Sequence, residues 1–424
     1  MWKGKSLYFF IAIVFIVGFI AGGILFRASV KPAITPVPSA ETEKAPVAPV
    51  KEAPSAPEVP IVEVPLAETP AEEEKPALAA ALPEEKAPEA VTETGAPKVA
   101  KYDFQKGIIY VAWTENGYSN ANSVAAMEQM RSAGADWAGL VTTWYQEKNS
   151  STEISPVKDK TPSDESLIFA IRKLHDLKFK VMLKPHLDLI LGEGNWRGDI
   201  APVSPQDWQK WSDSYTAFIL HYANIAAQEN AEIFCIGTEL TQATLTQPKY
   251  WRELIAKVRQ VYKGKLTYAA NWHQEFNQIE FWDALDYAGI DPYFPLVCSM
   301  APKVEELKSA WGDWLKTIEP WQQKINKPVI FAEIGYKSVE DATDEPWQYV
   351  GMGKLDLELQ ANCYRALLET FWDKPWFYGA YWWYWGTNPR MGGELNKGFT
   401  PQNKPAHNVI KEWYTSKPVS EKAY

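Results

Sequence analysis

Cysteine is scarce in this chain, with three among 424 residues, and none of Cys235, Cys298 and Cys363 lies in a C-x-x-C pair. An odd, scattered set excludes a disulfide framework. Cys235 and Cys363 fall in apolar patterns, where a thiol is a small buried hydrophobe. Histidine is sparse as well: five residues, at 175, 186, 221, 273 and 407, show no H-E-x-x-H or comparable spacing. No catalytic metal and no cofactor are therefore expected. A glycine-rich phosphate turn is missing after the first strand signal, where AWTENGYSN stands instead, which argues against an open dinucleotide-binding sheet. A basic excess is missing too, since 43 Lys and Arg face 53 Asp and Glu for a net charge of -10. That balance excludes nucleic acid as an expected partner and is neutral toward uncharged sugars.

Composition divides what is present into three segments: 1–30, 31–100 and 101–424. Leu7 to Phe26 (LYFFIAIVFIVGFIAGGILF) is a 20-residue run without a charge, and about 20 apolar residues in a helix span the hydrocarbon core. It is read as a membrane anchor. The alternative, a cleaved signal peptide, would carry a shorter apolar region and a small-residue cleavage site, whereas Arg27 and Lys31 follow here. Lys3 and Lys5 favour a cytoplasmic N-terminus, which would place the remainder of a single-pass protein outside the cytoplasm. Residues 31–100 hold 14 of the 31 prolines and 13 Glu against 6 Lys. Such a stretch cannot build a core and reads as a disordered, extended Pro/Ala/Glu-rich linker. Only 101–424 can fold around an apolar interior.

Within that segment strand and helix patterns take turns. The strand signals are GIIYVAW (107–113), WAGLVTTWY (137–145), VMLKPHLDL (181–189), IFCIGTEL (233–240), LTYAANW (266–272), YAGIDPYF (287–294), VIFAEIGY (329–336) and FYGAYWWYW (377–385). Helical stretches lie between them: about 120–133, from Thr161-Pro162 as a capped start to about Lys178, from Ser204-Pro205, from Pro248, from Phe276 to Leu285, a long region interrupted by Pro320, and 355–371. Eight strands alternating with helices predict parallel βαβ units, closed into a single (β/α)8 (TIM) barrel.

In such a barrel the C-terminal ends of the strands carry the chemistry. Glu239 and Glu333 end the fourth and seventh apolar runs and would reach that one rim. Cleaving a glycosidic bond requires an acid for the leaving oxygen and a second carboxylate for the oxocarbenium-like centre. Paired strand-end glutamates therefore predict a two-carboxylate glycosidase acting on a polysaccharide or oligosaccharide, although a lone strand-end Glu is more often a salt-bridge partner. Tyr293, at the end of the sixth run, is placed to hydrogen-bond one carboxylate, or else to pack as a core tyrosine. Nineteen of the 20 tryptophans lie in 101–424. Trp113, Trp144, Trp272 and Trp385 stand at strand ends as candidate sugar platforms. Strict alternation puts Tyr381, Trp383 and Trp385 on one face, with Trp385 nearest the rim. Lys184, His186 and Asn271 occupy rim positions suited to sugar hydroxyls. Trp196 and Arg197 lie in the loop after the third strand, where lining a substrate and packing the loop are equal alternatives. Asp188, Glu193 and Asp199 nearby read as solvated loop charges.

With these residues in view the chain resembles glycoside hydrolase family 113 over most of 105–414. The motifs that carry the likeness are LKPHLDL with NWRGDI, IGTEL, LTYAANW, GIDPYFPL, AEIGYKS followed by DEPW, and GFTPQNKPA. The resemblance implies a β/α barrel, Glu239 as acid/base, Glu333 as nucleophile, retention of configuration, and endo-acting hydrolysis of β-1,4-mannan. Thr238 departs from the wider clan, where Asn commonly precedes the acid/base, so Asn271 or His186 becomes the candidate for the sugar 2-hydroxyl. The alternatives are hydrolysis of another β-glycan (xylan, glucan or a cell-wall polymer) and a non-catalytic glycan-binding envelope module.

Overall fold

In a computed structural model, which describes residues 102–191, 196–296, 301–349 and 353–424, eight parallel strands close on themselves in sequence order. They are β1 (Gln105–Val111), β2 (Trp137–Gln146), β3 (Lys180–Leu189), β4 (Ile233–Thr238), β5 (Lys265–Asn271), β6 (Ala288–Asp291), β7 (Val329–Ile334) and β8 (Phe377–Gly386). The last pairs with the first, Gln105 opposite Gly379. Each strand is apolar on both faces because one face fills the barrel and the other meets a helix. The expected barrel is therefore the fold. The proposed anchor (1–30) and linker (31–100), with Glu193 and Cys298, lie outside the described residues. Among the described residues no helix is long and apolar enough to cross a membrane.

Outside the strands lie α1 (Ala121–Ser132), α2 (Asp164–Asp176), α3 (Pro205–Gln228), α4 (Thr241–Thr246), α5 (Pro248–Val261), α6 (Val304–Ile325), α7 (Leu357–Phe371) and α8 (Pro405–Ser416). Ser204 caps α3 as expected, its hydroxyl accepting from Asp207 N at 3.1 Å, with Pro205 in the first turn where a missing N–H costs nothing. Three expectations need correction. α2 is capped by Ser163, not Thr161, whose hydroxyl instead donates to Thr143 O at 2.7 Å and ties the loop to β2. Phe276 to Leu285 holds only a short 3-10 turn at Trp282–Ala284. Pro320 lies inside an unbroken α6.

Small residues let the barrel close around large ones. A Cβ on Gly107 would lie 2.6 Å from the Tyr381 ring, and one on Gly237 would lie 2.7 Å from Tyr215 Oη. Tyr381 spends its hydroxyl on Gln105 Oε1 at 2.7 Å, which satisfies a polar atom inside an apolar core. Tyr215 of α3 donates to Ile236 O at 3.0 Å, bracing β4 just before Glu239. Cys235 and Cys363 are both buried, as their apolar patterns predicted.

Candidate active site

The C-terminal ends of the strands open into a cleft of about 1030 Å3 whose walls include both Glu239 and Glu333, at the upper end of the ~300–1,000 Å3 typical of ligand sites. His186, Trp196, Arg197, Asn271, Trp272 and Tyr293 share it, as do Asp188, Trp347, Tyr349, Trp383 and Phe399. Local irregularities aim the two glutamates. Between Cys235 and Thr238 the register of β4 against β5 slips by one residue, and between Phe331 and Ile334 that of β7 against β8 does the same. An extra residue on one strand breaks strict alternation and re-aims the side chain beside it. Glu239 itself adopts a left-handed conformation, φ 51°, which costs an ordinary residue about 1–2 kcal/mol. Its N–H is held by Ala269 O at 2.9 Å.

The two carboxylates have different surroundings. Glu333 takes one donor on each oxygen: Tyr293 OH on Oε1 at 2.9 Å and Lys184 Nζ on Oε2 at 2.8 Å. Lys184 also meets Asp291 Oδ2 at 3.3 Å. Burial acts against the Lys184 charge, but Asp291 and Glu333 outweigh it and hold its pKa above the usual lysine value. With one ammonium between two carboxylates, Asp291 bears the imbalance: burial, with Glu333 and Glu239, pushes its pKa well up despite Lys184. Glu239 has a lighter hand on it, accepting from Asn271 Nδ2 at 2.7 Å. Burial raises its pKa, Glu333 adds to that rise, and Arg197 and the Asn271 bond oppose it.

On the opposite wall Arg197 donates from Nη2 to Asp188 Oδ1 at 2.9 Å and from Nη1 to His186 Nδ1 at 3.3 Å. A guanidinium can only donate, so Nδ1 accepts and the imidazole proton belongs on Nε2. Burial, with Arg197 and Lys184 nearby, lowers the His186 pKa well below its usual value, so the ring is neutral. Its Nε2, buried and without a partner among the described residues, is the donor left for a ligand. Asp188 is thus part of the cleft rather than a solvated loop charge.

Four expected site residues lie elsewhere. Trp385 is fully buried with its ring edge-on to His407 of α8. The strand carries an extra residue between Trp382 and Trp385 relative to β1, so alternation from Tyr381 ends at Trp383, and Trp383 lines the cleft in its place. Trp144 shares strand parity with Thr142, which bonds Tyr222 of α3, and its ring packs on Phe218 at 5.3 Å, outside the barrel. Trp113 is 44% exposed, edge-on to Tyr384, and off the cleft wall. Lys184 points inward, but one layer too deep to meet a substrate: its ammonium is fully covered and touches Glu333 from beneath. Trp347, Tyr349 and Phe399 come from loops without strand or helix periodicity; the sequence signals for two of them are the motifs DEPW, which contains Trp347, and GFTPQNKPA, which contains Phe399.

The model of the family described as Glycoside Hydrolase Family 113 matches residues 110–404. The chain belongs to this family. It is a glycoside hydrolase, and its barrel is similar to solved members. A GH113 β-1,4-mannanase in a complex is 28% identical with a TM-score of 0.67, covering 74% of this chain and 100% of that one. The GH113 β-mannanase AaManA from Alicyclobacillus acidocaldarius, in complex with ManMIm, is 28% identical at the same TM-score, covering 74% of this chain and 98% of that one. A further GH113 β-1,4-mannanase structure is 29% identical, again with a TM-score of 0.67 and 74% of this chain covered. No curated protein matches the chain.

Proposed function

We propose that this family 113 enzyme hydrolyses β-1,4-mannan with retention of configuration, Glu239 serving as acid/base and Glu333 as nucleophile. The observation that carries the division of labour is the unequal hydrogen bonding of the two carboxylates in one cleft. Tyr293 and Lys184 fix both oxygens of Glu333 and balance its charge, which suits a group that must attack in one orientation. Glu239 has one side-chain hydrogen-bond partner among the described residues and a pKa raised by burial, which suits a group that gives and regains a proton near neutrality.

In the first step Glu333 forms a bond to the anomeric carbon as the glycosidic carbon–oxygen bond breaks, and Glu239 gives its proton to the departing oxygen. In the second, water attacks the same carbon, Glu239 takes the water proton, and the ester to Glu333 breaks. Two inversions at one carbon restore the β configuration. Mannan as the substrate is favoured by the β-mannanase relatives, and the neutral His186 Nε2–H and the Asn271 amide are the candidate contacts to the 2-hydroxyl that distinguishes mannose from glucose. Trp383, Trp272 and Trp196 would offer faces to successive sugar rings.

A panel of β-mannan, xylan and β-glucan with reducing-end release tests the substrate. Glu333→Gln is expected to abolish turnover on mannan while oligosaccharide binding persists; turnover near the wild-type rate in that variant would refute the assignment. We further propose that the apolar run 7–26 anchors the enzyme in the cell membrane and that 31–100 holds the barrel away from the bilayer outside the cytoplasm. The composition of those segments supports this reading. Fractionation of cells expressing the full chain and a 101–424 form tests it: the full chain should sediment with membranes and the short form should not.

A further inference from the structure

Glu275 takes no part in the reaction above, yet it is a fully buried carboxyl directly behind the proposed acid/base. Its Oε1 accepts from Tyr268 OH at 2.7 Å and from Thr244 Oγ1 of α4 at 2.8 Å. Its Oε2 accepts from the backbone N–H of Asn271 at 2.6 Å. Tyr268 OH in turn accepts from Leu240 N at 2.7 Å, the peptide that immediately follows Glu239. Two arms therefore leave this one carboxyl. The first reaches Asn271, whose side-chain amide holds Glu239 Oε1. The second runs through Tyr268 to the residue after the left-handed turn at Glu239.

Burial pushes the Glu275 carboxyl up to about 7, so keeping an acid here costs stability that an apolar side chain would not. Three donors from two segments, β5 and α4, converge on it, and a carboxyl has the two acceptor oxygens needed to meet them. We propose that Glu275 is a positioning residue for the acid/base step: it locks the backbone turn at Glu239 and the amide of Asn271 together, so that the Glu239 carboxyl faces the leaving oxygen. This inference rests on the assignment of Glu239 as acid/base. Because it acts through another residue, its loss should fall on the step that needs a proton and spare the step that does not.

The test compares Glu275→Gln with the wild-type full chain on two substrates, a mannooligosaccharide, whose sugar leaving group requires protonation, and an aryl β-mannobioside with a dinitrophenolate leaving group, which departs without it. The expected result is a fall in kcat/KM of about tenfold or more on the oligosaccharide and of less than about twofold on the aryl substrate. An equal fall on both, or no fall in a folded variant, overturns the proposal. If Glu275→Gln does not fold, Tyr268→Phe, which cuts the arm to Leu240, carries the same comparison. Absence of wild-type turnover on both substrates would count against the proposed mannan specificity instead. The role of Glu275 is then decided by NMR: the Asn271 side-chain amide should follow the titration of Glu239 in the wild type and lose that response in Glu275→Gln, and an unchanged response overturns the proposal.

Discussion

At the scale of single residues the cleft depends on which group each carboxyl leans on. Asn271 donates to Glu239 and lowers its pKa against the upward push of burial, so Asn271→Ala should let that pKa rise further. The alkaline limb of the kcat/KM profile, which reports the proton on the acid, should move to higher pH. A limb displaced to lower pH would show that Asn271 does not act on Glu239 in this way. Tyr293 is the corresponding partner of Glu333. Burial, with Glu333 beside it, holds its pKa well above the usual value, so the phenol remains a donor through the working range. Tyr293→Phe removes that donor and is expected to lower kcat on the order of 10²-fold, in line with the loss of one preorganised hydrogen bond at a reacting carboxylate. A Tyr293→Phe enzyme with a wild-type kcat would argue that Lys184 alone suffices.

At the scale of the element, register decides what a side chain can do. β8 gains a residue between Trp382 and Trp385 relative to β1, and that single addition turns Trp385 toward α8 and leaves Trp383 in the cleft. Trp385→Ala should therefore destabilise the barrel by about 3–5 kcal/mol, as expected for a large buried aromatic, with kcat little changed in the fraction that folds. Trp383→Ala should weaken oligosaccharide binding with a much smaller loss of stability. Denaturation curves and binding titrations on the two variants separate these outcomes, and the reverse pattern would invalidate the register argument. The same irregularity explains what the sequence could and could not disclose. The apolar runs located all eight strands to within about two residues at their starts, because a strand buried on both faces is a composition signal. Both glutamates, Tyr293, Asn271 and His186 followed from their places at strand ends. Trp144 could have been assigned outward from its parity with Thr142. The slips in β4, β7 and β8 leave no mark in a pattern of period two, and the loop residues Trp347, Tyr349 and Phe399 reach the cleft by tertiary folding alone. Asp291 and Glu275 were hidden for another reason, since a buried carboxyl reads in sequence like any other acidic residue until its donors are known.

At the scale of the whole molecule the buried carboxyl at Glu275 makes stability depend on pH in an unusual direction. Its folded pKa of about 7 stands above the 4.5 of an ordinary glutamate, so the folded chain holds this proton more tightly than the unfolded one. Its contribution is fully present below about pH 4.5 and is lost as pH rises through about 7, a difference of about 3 kcal/mol. The groups facing it are Tyr268, Thr244, the Asn271 N–H and, by charge, Glu239. Asp291 and Glu239 add losses of the same sign, so chemical denaturation from pH 4 to 8 should show a steeper loss in the wild type than in Glu275→Gln; parallel curves for the two proteins would contradict it.

The central claim is that Glu333 attacks the sugar directly and that two displacements follow at one carbon. Following the anomeric protons of the first-formed product by 1H NMR during hydrolysis of a mannooligosaccharide tests it most directly, because water delivered without a covalent intermediate leaves the opposite anomer. Two-step displacement predicts that the β anomer accumulates first and mutarotates afterwards. An initial burst of the α anomer would contradict the account.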